Sequence, residues 1–106
     1  MLQISGDRML LEFIQGQKIT INEITIENSD DILVVSITLL CHQSRYTIMF
    51  HNVNHFNIHD LSMPLDIDGF EVVDHLKDGY NKDCRYEICD YENNVVHFYC
   101  ESYDIL

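Results

Sequence analysis

Short apolar stretches that alternate every second residue, cut apart by turn-forming clusters, constrain this chain more than any other feature. The turn signals are Gly6-Asp7, Gln15-Gly16, Asn28-Ser29-Asp30-Asp31, His42-Gln43-Ser44, Asp68-Gly69, Asp78-Gly79 and Asn93-Asn94. Strands hairpinned in this succession build an antiparallel sandwich or barrel. Composition agrees. Alanine, the best helix former, is absent, whereas 13 isoleucines, 7 valines and 4 threonines carry the branched side chains that suit a pleated surface. A length of 106 residues is one domain, residues 1–106. The expected fold is mainly β: a single antiparallel β-sandwich or partly open barrel of about seven strands, with room for one short helix.

The alternation places the elements. Residues 8–14 and 17–27 read as a hairpin across Gln15-Gly16. Ile19 and Ile21 share one parity and Ile24 and Ile26 the other, so Asn22-Glu23 is a candidate bulge. Residues 32–40 put Leu33, Val35, Ile37 and Leu39 on one face of a strand whose other face also tolerates burial, which suits a central position. Residues 45–53 align Tyr46, Ile48 and Phe50, and Phe56 and Ile58 continue that parity. Residues 69–77 fit either a short helix or a strand, with Phe70, Val72 and Leu76 on one side; the strand is the preferred reading. Residues 84–92 and 95–104 form a hairpin at Asn93-Asn94, a register that sets Asp90 against His97, Ile88 against Tyr99 and Glu87 against Cys100.

Charge narrows the function. The chain carries 18 acids against 6 Lys and Arg, a formal −12. That sign excludes ordinary phosphate neutralisation, so no nucleic-acid partner is expected, and an anionic membrane surface is disfavoured. The imbalance is local: residues 1–59 carry −3 and residues 60–106 carry −9. Five of the six tyrosines fall in the acidic half. Tyrosine gives a broad contact surface with a polar tip, and carboxylates around it steer a basic partner. Strands also use tyrosine for packing and acids for solubility, but −12 exceeds the magnitude of roughly 2–8 that solubility asks of a small domain. The candidate partner-binding residues are Asp66, Asp68, Glu71, Asp74, Asp78, Tyr80, Asp83 and Tyr86 on the first stretch. Glu87, Asp90, Tyr91, Glu92, Tyr99, Glu101 and Tyr103 complete the set on the C-terminal hairpin.

Other constellations are weaker. His51, His55 and His59 recur every four residues, but on an extended segment four residues span roughly 13 Å, too far for one metal ion. Asp66-Ile67-Asp68-Gly69-Phe70-Glu71 lacks the remaining ligands of a calcium loop and reads as a turn. Cys84, Cys89 and Cys100 with His97 and Asp90 supply the residue types of a nucleophilic set, yet alternation sends His97 and Cys100 to opposite faces. No phosphate-cradling glycine loop, GxSxG or HExxH occurs. The expectation is no enzyme, no metal and no cofactor. Glu12 interrupts the only N-terminal apolar stretch, and Ile32–Val35 is the longest aliphatic run, so a cytoplasmic chain with reduced thiols is expected.

Three segments carry a resemblance: Pro64 to Asp74, Arg85 to Asn93, and Phe98-Tyr99-Cys100. Together they resemble the small acidic proteins encoded beside bacterial polymorphic or contact-dependent toxins, which serve as their immunity proteins. The resemblance spans roughly residues 60–103 and implies a cytoplasmic inhibitor of a toxin domain, commonly a nuclease. It transfers no functional residue. The expected function is therefore a binding protein that covers a basic toxin domain. The alternatives are a small β-barrel holding a small ligand or metal ion, and a structural subunit that self-associates.

Overall fold

The computed structural model describes residues 14, 16–59, 62–90 and 95–106. Nine strands appear among them: β1 (Ile19–Ser29), β2 (Ile32–Cys41), β3 (Ser44–His51), β4 (Asn54–Ile58), β5 (Leu65–Ile67), β6 (Phe70–Asp74), β7 (Tyr86–Asp90), β8 (Val96–Cys100) and β9 (Ser102–Ile105). One 3₁₀ turn, Lys82–Cys84, precedes β7. A five-stranded sheet has the order β5-β1-β2-β3-β9 and a four-stranded sheet the order β4-β8-β7-β6. All pairings are antiparallel.

Local chemistry sets the hairpins. β1 turns into β2 through Asp30 and Asp31, both at positive φ, and β2 into β3 through His42 and Gln43 in the same conformation. Two successive left-handed residues give the backbone twist that matches paired strands. The bulge expected at Asn22-Glu23 is present: the β1–β2 register shifts between Ile21 and Glu23. It lets Ile19 and Ile21 face the core before it and Ile24 pack against the core after it. β2 lies at the centre of its sheet, as its two-sided apolar pattern requires.

Four connections carry the chain from one sheet to the other; the one from β4 to β5 runs partly outside the described residues, and the other three are corners. β3 bends into β4 at Asn52 and Val53, β5 into β6 at Asp68-Gly69, and β8 into β9 at Glu101. Asn52 (φ 56°) and Gly69 (φ 73°) take the left-handed conformation at two of these bends. The Glu101 amide donates to the His51 carbonyl at 3.0 Å and the Asn52 amide side chain donates to Glu101 Oε1 at 3.0 Å. Two corners are thus tied together along one side, and the two antiparallel sheets form a β-sandwich or partly open barrel, as the sequence leads one to expect.

Described residues of both sheets pack together in the interior. Phe50 from one sheet meets Phe98 from the other edge-on, with centroids 5.2 Å apart. Phe70, Ile37, Leu39, Ile48 and Ile88 are fully buried around them. Burying each such side chain contributes about 1.5–3 kcal/mol.

Several expectations need correction. The chain crosses between sheets at Glu101, so the single strand expected at 95–104 is two, and β5 is an additional short strand. Residues 70–74 are a strand, but Leu76 lies beyond it in a turn and is 64% exposed, not on the Phe70–Val72 face. The C-terminal hairpin pairs one residue out of the expected register: Glu87 faces Tyr99, Ile88 faces Phe98 and Cys89 faces His97. The reason is facial. The expected register would oppose buried Ile88 with outward Tyr99, whereas the observed one stacks Ile88 on Phe98 inside. The strand expected at 8–14, its hairpin at Gln15-Gly16 and the turn at Asn93-Asn94 fall mostly or wholly outside the described residues. Of these, Ile14 is buried in the core. Among the described residues no helix is long and apolar enough to cross a membrane.

Candidate functional site

Because Val72, Ile88 and Phe98 point inward, strand alternation puts Glu71 and Val73 of β6, Glu87 and Cys89 of β7, and His97 and Tyr99 of β8 on the outer face of the four-stranded sheet. Cross-strand register aligns Val73, Glu87 and Tyr99 in one row, and Glu71, Cys89 and His97 in the next. His55 of β4 meets the Tyr99 ring edge-on at 6.1 Å.

The segment after β6 folds back over this face. The His75 amide donates to the Arg85 carbonyl at 2.6 Å, extending the β6–β7 ladder by one step. Arg85 clamps Asp74 with two parallel bonds, Nε to Oδ1 and Nη2 to Oδ2, each 3.1 Å. That contact holds the Asp74 carboxyl below its ordinary range, against the opposing effect of burial. The planar guanidinium also lies over the Tyr86 ring, 4.8 Å from its centroid.

His75 is the hub. Its Nδ1 lies 2.6 Å from Asp78 Oδ2 and its Nε2 2.7 Å from Glu87 Oε1. Two carboxylates on two ring nitrogens require both nitrogens to donate, which is the imidazolium form. The bonds to Asp78 and then Glu87 raise the His75 pKa, outweighing its burial. Glu87 also accepts from His97 Nε2 at 2.7 Å, so one carboxylate bridges two imidazoles. Burial pushes Glu87 up, but the His75 and His97 bonds prevail and its pKa is lowered. The Tyr80 ring stacks on His75 at 4.2 Å and 11°, and sits 6.2 Å from Tyr99. Beside this cluster a cleft of ≈ 410 Å³ is bounded by His75, Tyr80, Lys82, Arg85 and the Glu101–Ser102 corner.

No family model, curated protein or solved structure matches this chain.

The structure gathers some of the expected partner-binding residues and disperses others. Glu71, Asp78, Tyr80, Glu87 and Tyr99 share the outer face or its border, and Asp74, Asp83 and Glu101 lie around the cleft end. Asp66 is on β5, the edge of the other sheet, where it accepts from the Thr20 hydroxyl at 2.8 Å, and Asp68 is at the β5–β6 corner. One expectation, Asp90, is corrected, and two tyrosines are half-buried. Asp90 is 1% exposed: it has the inward parity of Ile88 and accepts from the Val96 amide at 2.7 Å. Tyr86 and Tyr103 pack on the core, edge-on to each other at 5.0 Å, with Tyr103 also against Phe50. Tyr91 and Glu92 lie outside the described residues.

Charge counting had not revealed how many carboxylates are internally occupied. Asp74, Asp78, Glu87 and Glu101 each face a cationic or imidazole partner, while Asp68, Glu71 and Asp83 form no ion pair with a described residue. Sequence reasoning also missed His75. The available signal was His75-x-x-Asp78 next to the Asp78-Gly79 turn, a spacing that returns the carboxylate to the ring.

Two of the three candidate thiols, Cys89 and Cys100, are poorly placed for chemistry. Burial raises Cys100 to about 12 and Cys89 to about 11, the latter also through the Glu87, Glu71 and Asp90 charges. Cys89 does lie opposite His97, whose Nε2 is committed to Glu87. A thiol held protonated in this way is a weak nucleophile at neutral pH. Asp68-Gly69 is a corner, and the described residues contain no His, Cys, Asp and Glu group able to hold a metal ion.

Proposed function

We propose that the protein is an immunity-type inhibitor. It binds a basic toxin domain, a nuclease by preference, and covers the surface that domain uses for nucleic acid. The outer face of the four-stranded sheet is the contact surface. The observation that carries this reading is a half-exposed cluster of Tyr80, Tyr99, His55 and His97, set among Glu71, Glu87 and Asp78, in a chain of −12. Flat aromatic area supplies desolvated contact, and the surplus of carboxylates draws a cationic surface.

The protein acts by binding alone, in the cytoplasm, and needs no cofactor. The raised Cys89 and Cys100 thiols support a role without catalysis. Phe50, Phe70 and Phe98, fully buried where a barrel ligand would sit, favour a packed core over a ligand held inside.

The reading expects a large protein with a basic C-terminal domain to be encoded immediately upstream, and the test uses that domain as the partner. Calorimetry should give tight binding that Glu71→Lys and Tyr99→Ala each weaken at least about tenfold. Raising salt to about 0.5 M should slow association. Binding unchanged by both substitutions and by salt would remove the proposed face.

A further inference from the structure

We infer that this docking face is proton-gated: it is assembled when His75 is charged and loosens when His75 loses its proton. The inference rests on the docking reading for its purpose but on the His75 geometry for its mechanism. The segment between β6 and β7, residues 75–85, has almost no buried apolar anchor, since Leu76 is 64% and Tyr80 48% exposed. What holds its first half to the sheet is polar: the Arg85 carbonyl on the His75 amide, the Asp74–Arg85 clamp, and the two carboxylates on the His75 ring; its second half is held separately, by Asn54 of β4 on the Asp83 carbonyl and the Cys84 thiol and by Lys82 beside Glu101.

A neutral imidazole has one donor and one acceptor. It can keep Asp78 or Glu87 but not both, because the second carboxylate would then face a lone pair. Losing the Asp78 contact frees the turn that carries Tyr80; losing Glu87 lifts the ring from β7. Either outcome undoes the 4.2 Å stack that presents Tyr80 beside Tyr99.

The surroundings oppose deprotonation. Asp78 and Tyr80 face the ring from its own segment, with Asp74 just before it, neutralised by Arg85. Glu87 faces it from β7, and Tyr99 from β8 at 6.5 Å, with His97 beyond Glu87. Lys82 and Glu101 border the cleft on the far side, 3.8 Å from each other. The carboxylates nearest the ring are Asp78 and Glu87, and among the described residues no cation bonds to it, so the proton is retained to a pH above the ordinary histidine value. The raised pKa fixes the sign. The face is intact below the ordinary histidine pKa and is lost as pH rises through the raised one.

The test needs no partner. In ¹³C,¹⁵N-labelled protein, the His75 ring and Tyr80 ring signals are followed by NMR from pH 5.5 to 9.5. Both should move with one midpoint, above the ordinary histidine value, and trypsin cleavage after Lys77 should quicken across it relative to a reference peptide. Asp78→Asn and Glu87→Gln should each lower that midpoint. His75→Gln should leave the Tyr80 signals independent of pH. A His75 midpoint at the ordinary value, or Tyr80 signals that ignore it, overturns the gate. Binding of the upstream basic domain should fall about tenfold across the midpoint in the wild type, and the fall should be absent in His75→Gln. If His75 and Tyr80 titrate together while that domain binds with no pH dependence, the loop switch stands and the gating of docking is overturned.

Discussion

Glu87 shows how much one outward side chain on β7 can organise. Its two oxygens satisfy His75 and His97 at 2.7 Å each, and through His75 it reaches Asp78 and the Tyr80 stack. Because its pKa is lowered in the folded state, its contribution is present above the ordinary carboxylate value and lost as pH falls through the lowered one. His75 contributes in the opposite sense, so stability should show a plateau with losses at both ends. Glu87→Gln should cost about 1.5–3 kcal/mol in urea unfolding at pH 6.5 and flatten both shoulders, while Glu71→Gln should stay within about 0.5 kcal/mol. Asp90 is the second telling residue. One of its oxygens accepts from the Val96 amide, and the other is buried with no hydrogen-bond partner among the described residues. Asp90→Ala strands that amide and should cost about 1–3 kcal/mol, whereas Asp90→Asn keeps an acceptor and should cost clearly less in the same measurement.

Strand identity was legible where side chains alternate without interruption. Leu33, Val35, Ile37 and Leu39 fixed β2 and its central place, and the parity change from Ile21 to Ile24 located a bulge that the register shift bears out. That bulge makes a prediction at the scale of β1. Ile24 packs against the core, but Ile26, on the same side near the hairpin tip, is 49% exposed. Ile24→Ala should cost about 1–2 kcal/mol, and Ile26→Ala less than about 0.5 kcal/mol, in thermal or urea unfolding. What alternation could not reveal is where a strand changes sheets. Glu101 sits in an unbroken parity of Val96, Phe98 and Cys100, and the corner there depends on the His51 carbonyl and Asn52, some fifty residues away in sequence. The β7–β8 register differs by one residue from the one that Asn93-Asn94 predicts, because burial decides faces and pairs Ile88 with Phe98. The same limit hid the site. Tyr86, Tyr99 and Tyr103 look equivalent along the chain, yet parity and the corner turn two of them onto the core and one outward.

For the molecule as a whole, −12 on a chain of 106 residues is a cost to the folded state, because like charges are brought closer than in the unfolded chain. Ion pairs recover part of it locally at Asp74, Asp78, Glu87 and Glu101. The β1–β2 tip, with Glu27, Asp30 and Asp31 exposed, has no such relief among described ion pairs. Screening should therefore stabilise the free protein, and 0.5 M sodium chloride should raise its melting temperature by several degrees. The docking proposal assigns the surplus charge a destination, the outer face of the four-stranded sheet, and not the equally acidic hairpin tip. Amide hydrogen exchange of the protein, alone and saturated with the upstream basic domain at pH 6.5, tests that assignment most directly. The proposal predicts added protection in residues 71–75, 78–89 and 97–99 and none at residues 26–32. Protection confined to the hairpin tip, with the segment around His75 and Tyr80 unchanged, would contradict it.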